Sequence, residues 1–332
     1  MRRREFLGVL GVLGVLGGAA ASWPLAARAQ ERVRKVGVLI GGGEGDSETQ
    51  ARLAGFRQGL DALGWSVGRN LQIEYRYVGD QIDRVPALAR ELLALQPDAI
   101  LSQGTGITAA FRRGPTAIPV VFVTVSDPIG SGIVTNLARP GGNITGFLMY
   151  ESGIVGKWLG MLKEIAPQIS RVALLVGPTT AYDYFVRAAS AAAPSFGVEL
   201  VLYEVADAAD IERSIEAFVR VPNGGLLVPP DSITLAYRNV VIALTVKHRI
   251  PAVYGLRSQV AAGGLISYGT PEITMFRSAA SYIDRILRGE KPGDLPVQAP
   301  TKFETVINIK TAKALGLTIP PGLMVAADEV IE

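Results

Sequence analysis

The sequence contains no cysteine and a single histidine. The first absence removes disulfides, thiolate nucleophiles and cysteine-ligated zinc together. The second leaves His248 alone to serve any Ser-His-Asp arrangement or histidine-bound metal. His248 stands between Lys247 and Arg249 at the end of a helical pattern, where a cation suits the helix dipole, so it reads as a surface residue. No catalytic residue, metal or cofactor is expected. An excess of one charge is missing as well. The whole chain has 33 basic and 30 acidic residues; residues 1–29 hold four of the former (Arg2, Arg3, Arg4, Arg28) and one of the latter (Glu5), which leaves 29 of each. The pI of about 9.1 therefore owes its basicity largely to the N-terminus, and nucleic-acid binding loses its main support.

What is present begins with a targeting pattern. Arg2 to Arg4 form a basic segment, Phe6 to Ala21 an apolar and glycine-rich one, and Ala27-Arg28-Ala29 a small-residue cleavage site. The run RRREFLG resembles a twin-arginine export signal, which predicts a periplasmic protein. The apolar run is short for a membrane span, no later stretch is long enough for one, and no cysteine offers a lipid anchor.

With 332 residues, 48% hydrophobic and 19% charged, the chain has the composition of a globular protein of about two domains. The stretch VVFVTVSDPIGSG, Val120 to Gly132, changes from an apolar β-branched run to a polar loop bearing Thr124, Ser126 and Asp127. The run predicts a strand buried on both faces. Similar strands recur at Val36 to Ile40, Leu71 to Val78 and Asp98 to Leu101, separated by helical spacings such as Leu53, Phe56, Leu60 and Leu63. A second series follows: strands at Val172 to Val176, Val198 to Tyr203 and Gly225 to Val228 alternate with helices at 153–165, 182–193 and 211–219, and Asp231 caps a long helix through Lys247. Two such series predict an α/β protein of two doubly wound parallel-sheet lobes, with a (β/α)₈ barrel as runner-up. Beyond Ile250 the pattern loosens into short strands, a helix over 273–287, the alternating run PTKFETVINI and a proline-rich turn at Pro320-Pro321.

Open α/β sheets bind ligands beyond the carboxyl ends of their strands. There the first series offers Gly104 and Thr105 in SQGTG, then Ser126 and Asp127; the second offers Thr179, Thr180 and Tyr182, then Asp231. Hydroxyls and helix N-termini suit a carboxylate, and an acid facing them suits an ammonium. Tyr150, Tyr182, Tyr184 and Tyr254 are candidates to wall an apolar part. Each has a plain alternative: Asp127 before Pro128 as a turn former, Asp231 as an N-cap, Tyr184 as core. The glycine-rich loops lack the spacing of a dinucleotide or phosphate loop.

The phrases ARLAGFRQGLDALGW, VGRNLQIEYRY, FVTVSDPIGSGIV, LARPGGNITG, HRIPAVYG, AAGGLISYGT and PTKFETVINIKTAKALGLTIPP span the mature chain in order. With them the sequence resembles the exported substrate-binding proteins of ABC transporters, tryptophan/tyrosine-type group. The resemblance implies a type I periplasmic binding fold, with hinges near Phe147 to Ser152, near Tyr254 and around Pro300. It implies an N-terminal lobe of residues 30–148 plus 255–299 and a C-terminal lobe of 149–254 plus 300–332. It also implies a cleft lined by Gly104-Thr105, Ser126-Asp127, the turn after Val176, Asp231 and Tyr254. After VALLV this chain reads GPTTAYDYF where members commonly carry Asn-Pro, so the substrate does not carry over. The expectation is a monomeric receptor that closes over a small organic carboxylate, an aromatic or branched amino acid first, and serves a membrane permease. A ligand-sensing signalling subunit is the alternative, and an enzyme on the same scaffold a more distant one.

Overall fold

Largely apolar runs of three to seven residues become the strands of two sheets, parallel but for one pair, and helices cover both faces of each. The computed structural model describes residues 32–332 apart from 80, 113–116, 152 and 178–181, with the side chains at 182 and 232 also outside the description. The expected export signal lies outside the described residues.

The first sheet holds β1 (Arg34–Ile40), β2 (Leu71–Tyr77), β3 (Ala99–Gln103), β4 (Val120–Val125) and β5 (Ile144–Leu148), in the order β2-β1-β3-β4-β5 with every pair parallel. All six residues of β4 are buried, because both faces are covered. One face carries α2 (Val85–Ala94) and α3 (Thr105–Arg112), which close over Leu39, Ile100 and Phe122. The other carries α1 (Ser47–Ala62), whose Leu53, Phe56 and Leu60 pack on Val36, Val38 and Val123.

The second lobe contains α4 (Ile154–Ile165), β6 (Arg171–Val176), α5 (Tyr182–Ala192), β7 (Glu199–Glu204), α6 (Ala208–Phe218) and β8 (Gly224–Val228). The helix expected from Asp231 to Lys247 is two, α7 (Ser232–Ala236) and α8 (Arg238–Lys247), because Tyr237 between them leaves helical geometry at φ −102° and ψ 24°. Then follow β9 (Ala252–Tyr254), α9 (Arg257–Ala261) and β10 (Ile266–Gly269). These strands join one sheet, completed after α10 (Glu272–Leu287) by β11 (Glu304–Asn308), α11 (Ile309–Leu315), α12 (Pro321–Ala326) and β12 (Glu329–Ile331). Its order is β12-β11-β10-β9-β8-β6-β7, parallel except between β10 and β11. Pro321 opens α12 at its first position instead of making only a turn.

The lobe boundary differs from the expectation. The chain does not return to the first lobe at residue 255, since β10 pairs with β9 (Ile266 beside Val253, Ser267 beside Tyr254) and thereby extends the second sheet. It returns after Thr270, as α10. That helix buries Met275, Phe276, Ala279, Ala280 and Ile283 in the first lobe's core against α1. The approach is close: a Cβ on Gly59 would stand 2.7 Å from both the Ala280 Cβ and the Arg277 carbonyl oxygen.

Three segments thus cross between the lobes, and they are hydrogen-bonded side by side. The Leu148 N–H donates to the Gln298 carbonyl at 2.8 Å, the Gln298 N–H to Gly146 at 2.9 Å, and the Thr270 hydroxyl to the Met149 carbonyl at 2.6 Å. His248 caps the end of α8 and is half-buried, more enclosed than a surface residue.

Candidate ligand-binding crevice

The loops after the parallel strands of both lobes carry the polar residues singled out above. In the first lobe, Gly104 follows β3 with φ +81° and open space where a side chain would lie. That left-handed turn starts α3 abruptly, with Thr105 as its first residue. The Thr105 hydroxyl accepts from the Ser126 N–H at 3.3 Å, so the loops after β3 and β4 are tied together. Both residues are buried, at 8% and 7% exposure.

Asp127 is a turn former and something more. Its carboxylate accepts from the Gly130 N–H at 2.7 Å, and its carbonyl accepts from the N–H and hydroxyl of Ser131. The same carboxylate also reaches across to Arg187 of α5 in the second lobe, at 3.3 Å. Nothing in the sequence marks Arg187, an exposed helical arginine, as that partner.

The loop after β1 adds a second charged group. Asp46 caps α1 by accepting from the N–H and hydroxyl of Thr49 at 3.1 and 2.7 Å. Glycine is required at 42, where φ is +80° and a Cβ would lie 2.2 Å from the Thr49 hydroxyl. Burial works to raise the Asp46 carboxyl. The Thr49 bonds, Arg52 and the second lobe's Arg238 outweigh it and hold the group below its ordinary value. Arg52 bridges α1 to α10 through Glu272 at 3.1 Å, with both side chains largely buried.

On the second lobe's side, Asp231 follows β8 and is buried at 5% exposure. It caps α7, accepting from the Ile233 N–H at 2.8 Å, while its own N–H donates to the Thr234 hydroxyl at 3.2 Å. It also lies against the loop after β6, since a Cβ on Gly177 would stand 2.6 Å from its carboxylate. Thr179 and Thr180 lie outside the described residues, as does the side chain of Tyr182. Tyr184 is half-buried, and its hydroxyl donates to the Glu151 carbonyl at 3.0 Å. Burial first, then the Asp127 and Glu151 carboxylates, push that phenol up to about 12.

Tyr254 does not line the crevice. Its ring is 1% exposed inside the second lobe's core beside Val260 and Val306, and its hydroxyl pairs with that of Thr245 at 3.2 Å. A mid-sheet strand with helices on both faces turns its residues into the core, and Gly255 is the residue that reaches the strand end. Among the described residues, no group of three or more acids or histidines is arranged to hold a metal, and no helix is long and apolar enough to cross a membrane.

Residues 35–331 match the family model described as ABC transporter substrate binding protein. A tyrosine-binding protein from Clostridioides difficile (strain R20291) is 24% identical over 272 residues, covering 79% of this chain and 76% of the relative. Among solved structures, a conserved domain protein from Vibrio cholerae matches with TM-score 0.83 and 25% identity, over 90% of this chain and 100% of its own. An ABC domain from Streptococcus pneumonia in complex with L-Trp matches with TM-score 0.83 and 23% identity, over 90% and 99%.

Proposed function

Since the chain belongs to the ABC transporter substrate-binding protein family, we propose that it is the periplasmic receptor of an importer and closes over an amino acid with an aromatic or branched side chain. It has the two-lobed type I periplasmic binding fold. The observation that carries the reading is the pairing of Thr105 with Ser126 at the mouth of α3, taken with the buried Asp231 at a strand end of the other lobe. The α3 N-terminus and the two hydroxyls hold the carboxylate, where helix N–H groups and the dipole favour an anion. Asp231 holds the ammonium. Asp127 is assigned to the contact between lobes instead, because its carboxylate is engaged by Gly130 and Arg187. An aromatic side chain rests against Tyr184.

A tyrosine-binding relative and a structural neighbour holding L-Trp support an aromatic amino acid as first choice. Closure is favoured because a ligand touching both lobes binds the closed arrangement better than the open one. The receptor acts as a monomer, is exported by its N-terminal signal and delivers its solute to a permease in the inner membrane.

A thermal-shift screen of amino acids tests the reading, since a ligand bound only by folded protein raises the melting temperature. L-tryptophan, L-tyrosine or a branched amino acid is expected to stabilise the protein by several degrees at saturating concentration. The double variant Ser126→Ala/Asp231→Ala is expected to lose most of that shift. Equal shifts in the variant and the parent would rule out the site.

A further inference from the structure

One buried polar group beside the crevice has no hydrogen-bond partner among the described residues: the hydroxyl of Tyr150. Tyr150 lies in the first crossover and is 1% exposed. Its ring is wedged edge-on against Trp158 at 5.5 Å and Phe185 at 5.9 Å, contacts that fix its direction. The hydroxyl end projects beyond the carboxyl ends of β8 and β9. A Cβ on Gly255 would stand 2.8 Å from the Tyr150 hydroxyl and 2.5 Å from Pro230, so the hydroxyl sits closely against the loops that follow β8 and β9, and only glycine at 255 admits it there.

An unpaired buried hydroxyl is destabilising, and phenylalanine would fill the same volume without it. Groups of this kind persist at sites where function uses them. We propose that Tyr150 is a ligand-contacting residue, whose hydroxyl donates a hydrogen bond to a carboxylate oxygen of the bound amino acid. Burial above all, with Glu272 and Tyr184 nearby, drives the phenol well above its ordinary value, so it keeps its proton and serves as donor. The contact joins the ligand to the crossover itself, next to Met149, whose carbonyl is held by Thr270. The inference rests on the reading of the crevice as an amino-acid site.

The test uses the full mature chain and its Tyr150→Phe variant, with L-tryptophan and L-tyrosine as calorimetric probes. Loss of a hydrogen bond to a charged group predicts binding about ten- to a hundredfold weaker in the variant. The ligand-free variant is expected to melt at the same temperature as the parent or higher. Unchanged affinity overturns the proposal. So does weaker binding accompanied by a lower ligand-free melting temperature, the signature of a structural hydroxyl. If the parent binds neither probe, the aromatic amino-acid reading falls and takes this inference with it; if the parent binds and the variant binds equally, only the inference falls.

Discussion

Two carboxyl groups in this protein are displaced in opposite directions. Asp46, held below 3.8, contributes stability that is present above that value and is lost as pH falls through its lowered folded value. Glu304 is raised above 4.5, by burial first and by Glu329 and Asp328 against the pull of Arg257. Folded protein therefore binds this proton more tightly than unfolded chain, and stability falls as pH rises through the window above 4.5. Glu304→Gln is expected to be more stable than the parent at neutral pH and to change less between neutral and mildly acidic buffer, as measured by urea titration. At this scale the sequence was partly readable. Ser126 and Thr105 stand at strand ends because a β-branched run followed by small polar residues has few other uses. Tyr254 was misread because an aromatic at the last position of a strand looks the same whether it faces core or crevice. Arg187 carried no pattern at all, since its partner Asp127 lies on the other lobe.

Helix α1 meets α10 through glycine, and that contact decides how one element reports on another. Gly59→Ala should gain about 1 kcal/mol from helix propensity. The clash with Ala280 and the Arg277 carbonyl opposes this, and overpacking of that kind costs about 1–3 kcal/mol. Net destabilisation is expected by chemical denaturation. Gly156→Ala in α4, with nothing within 4 Å of the added methyl, is the matched substitution and is expected to stabilise. Alternation and helical spacing located most strands and helices. The break at Tyr237 escaped because both halves keep apolar residues in step, and β12 escaped because a three-residue edge strand is defined by its partner β11.

Across the molecule, acids on the first lobe face arginines on the second. Asp127 meets Arg187, Arg238 acts on Asp46, and Glu48 acts on Arg257. Each exposed pair is weak alone and screened by salt, but all act in the direction of closure. Raising ionic strength, or introducing Arg187→Glu, is expected to increase the radius of gyration of the ligand-free protein in X-ray scattering; an unchanged radius in both would show that these charges do not bias the lobes. The return of α10 to the first lobe has a consequence for biogenesis. A chain leaving the ribosome carries β1 to β5 and α1 long before α10 exists, so the face of α1 at Gly55 and Gly59 waits uncovered. The first lobe cannot be completed until the second has nearly all been synthesised. The first lobe thus stays open through most of synthesis, and a product truncated at residue 270, which lacks α10, should be held by chaperones instead of being released.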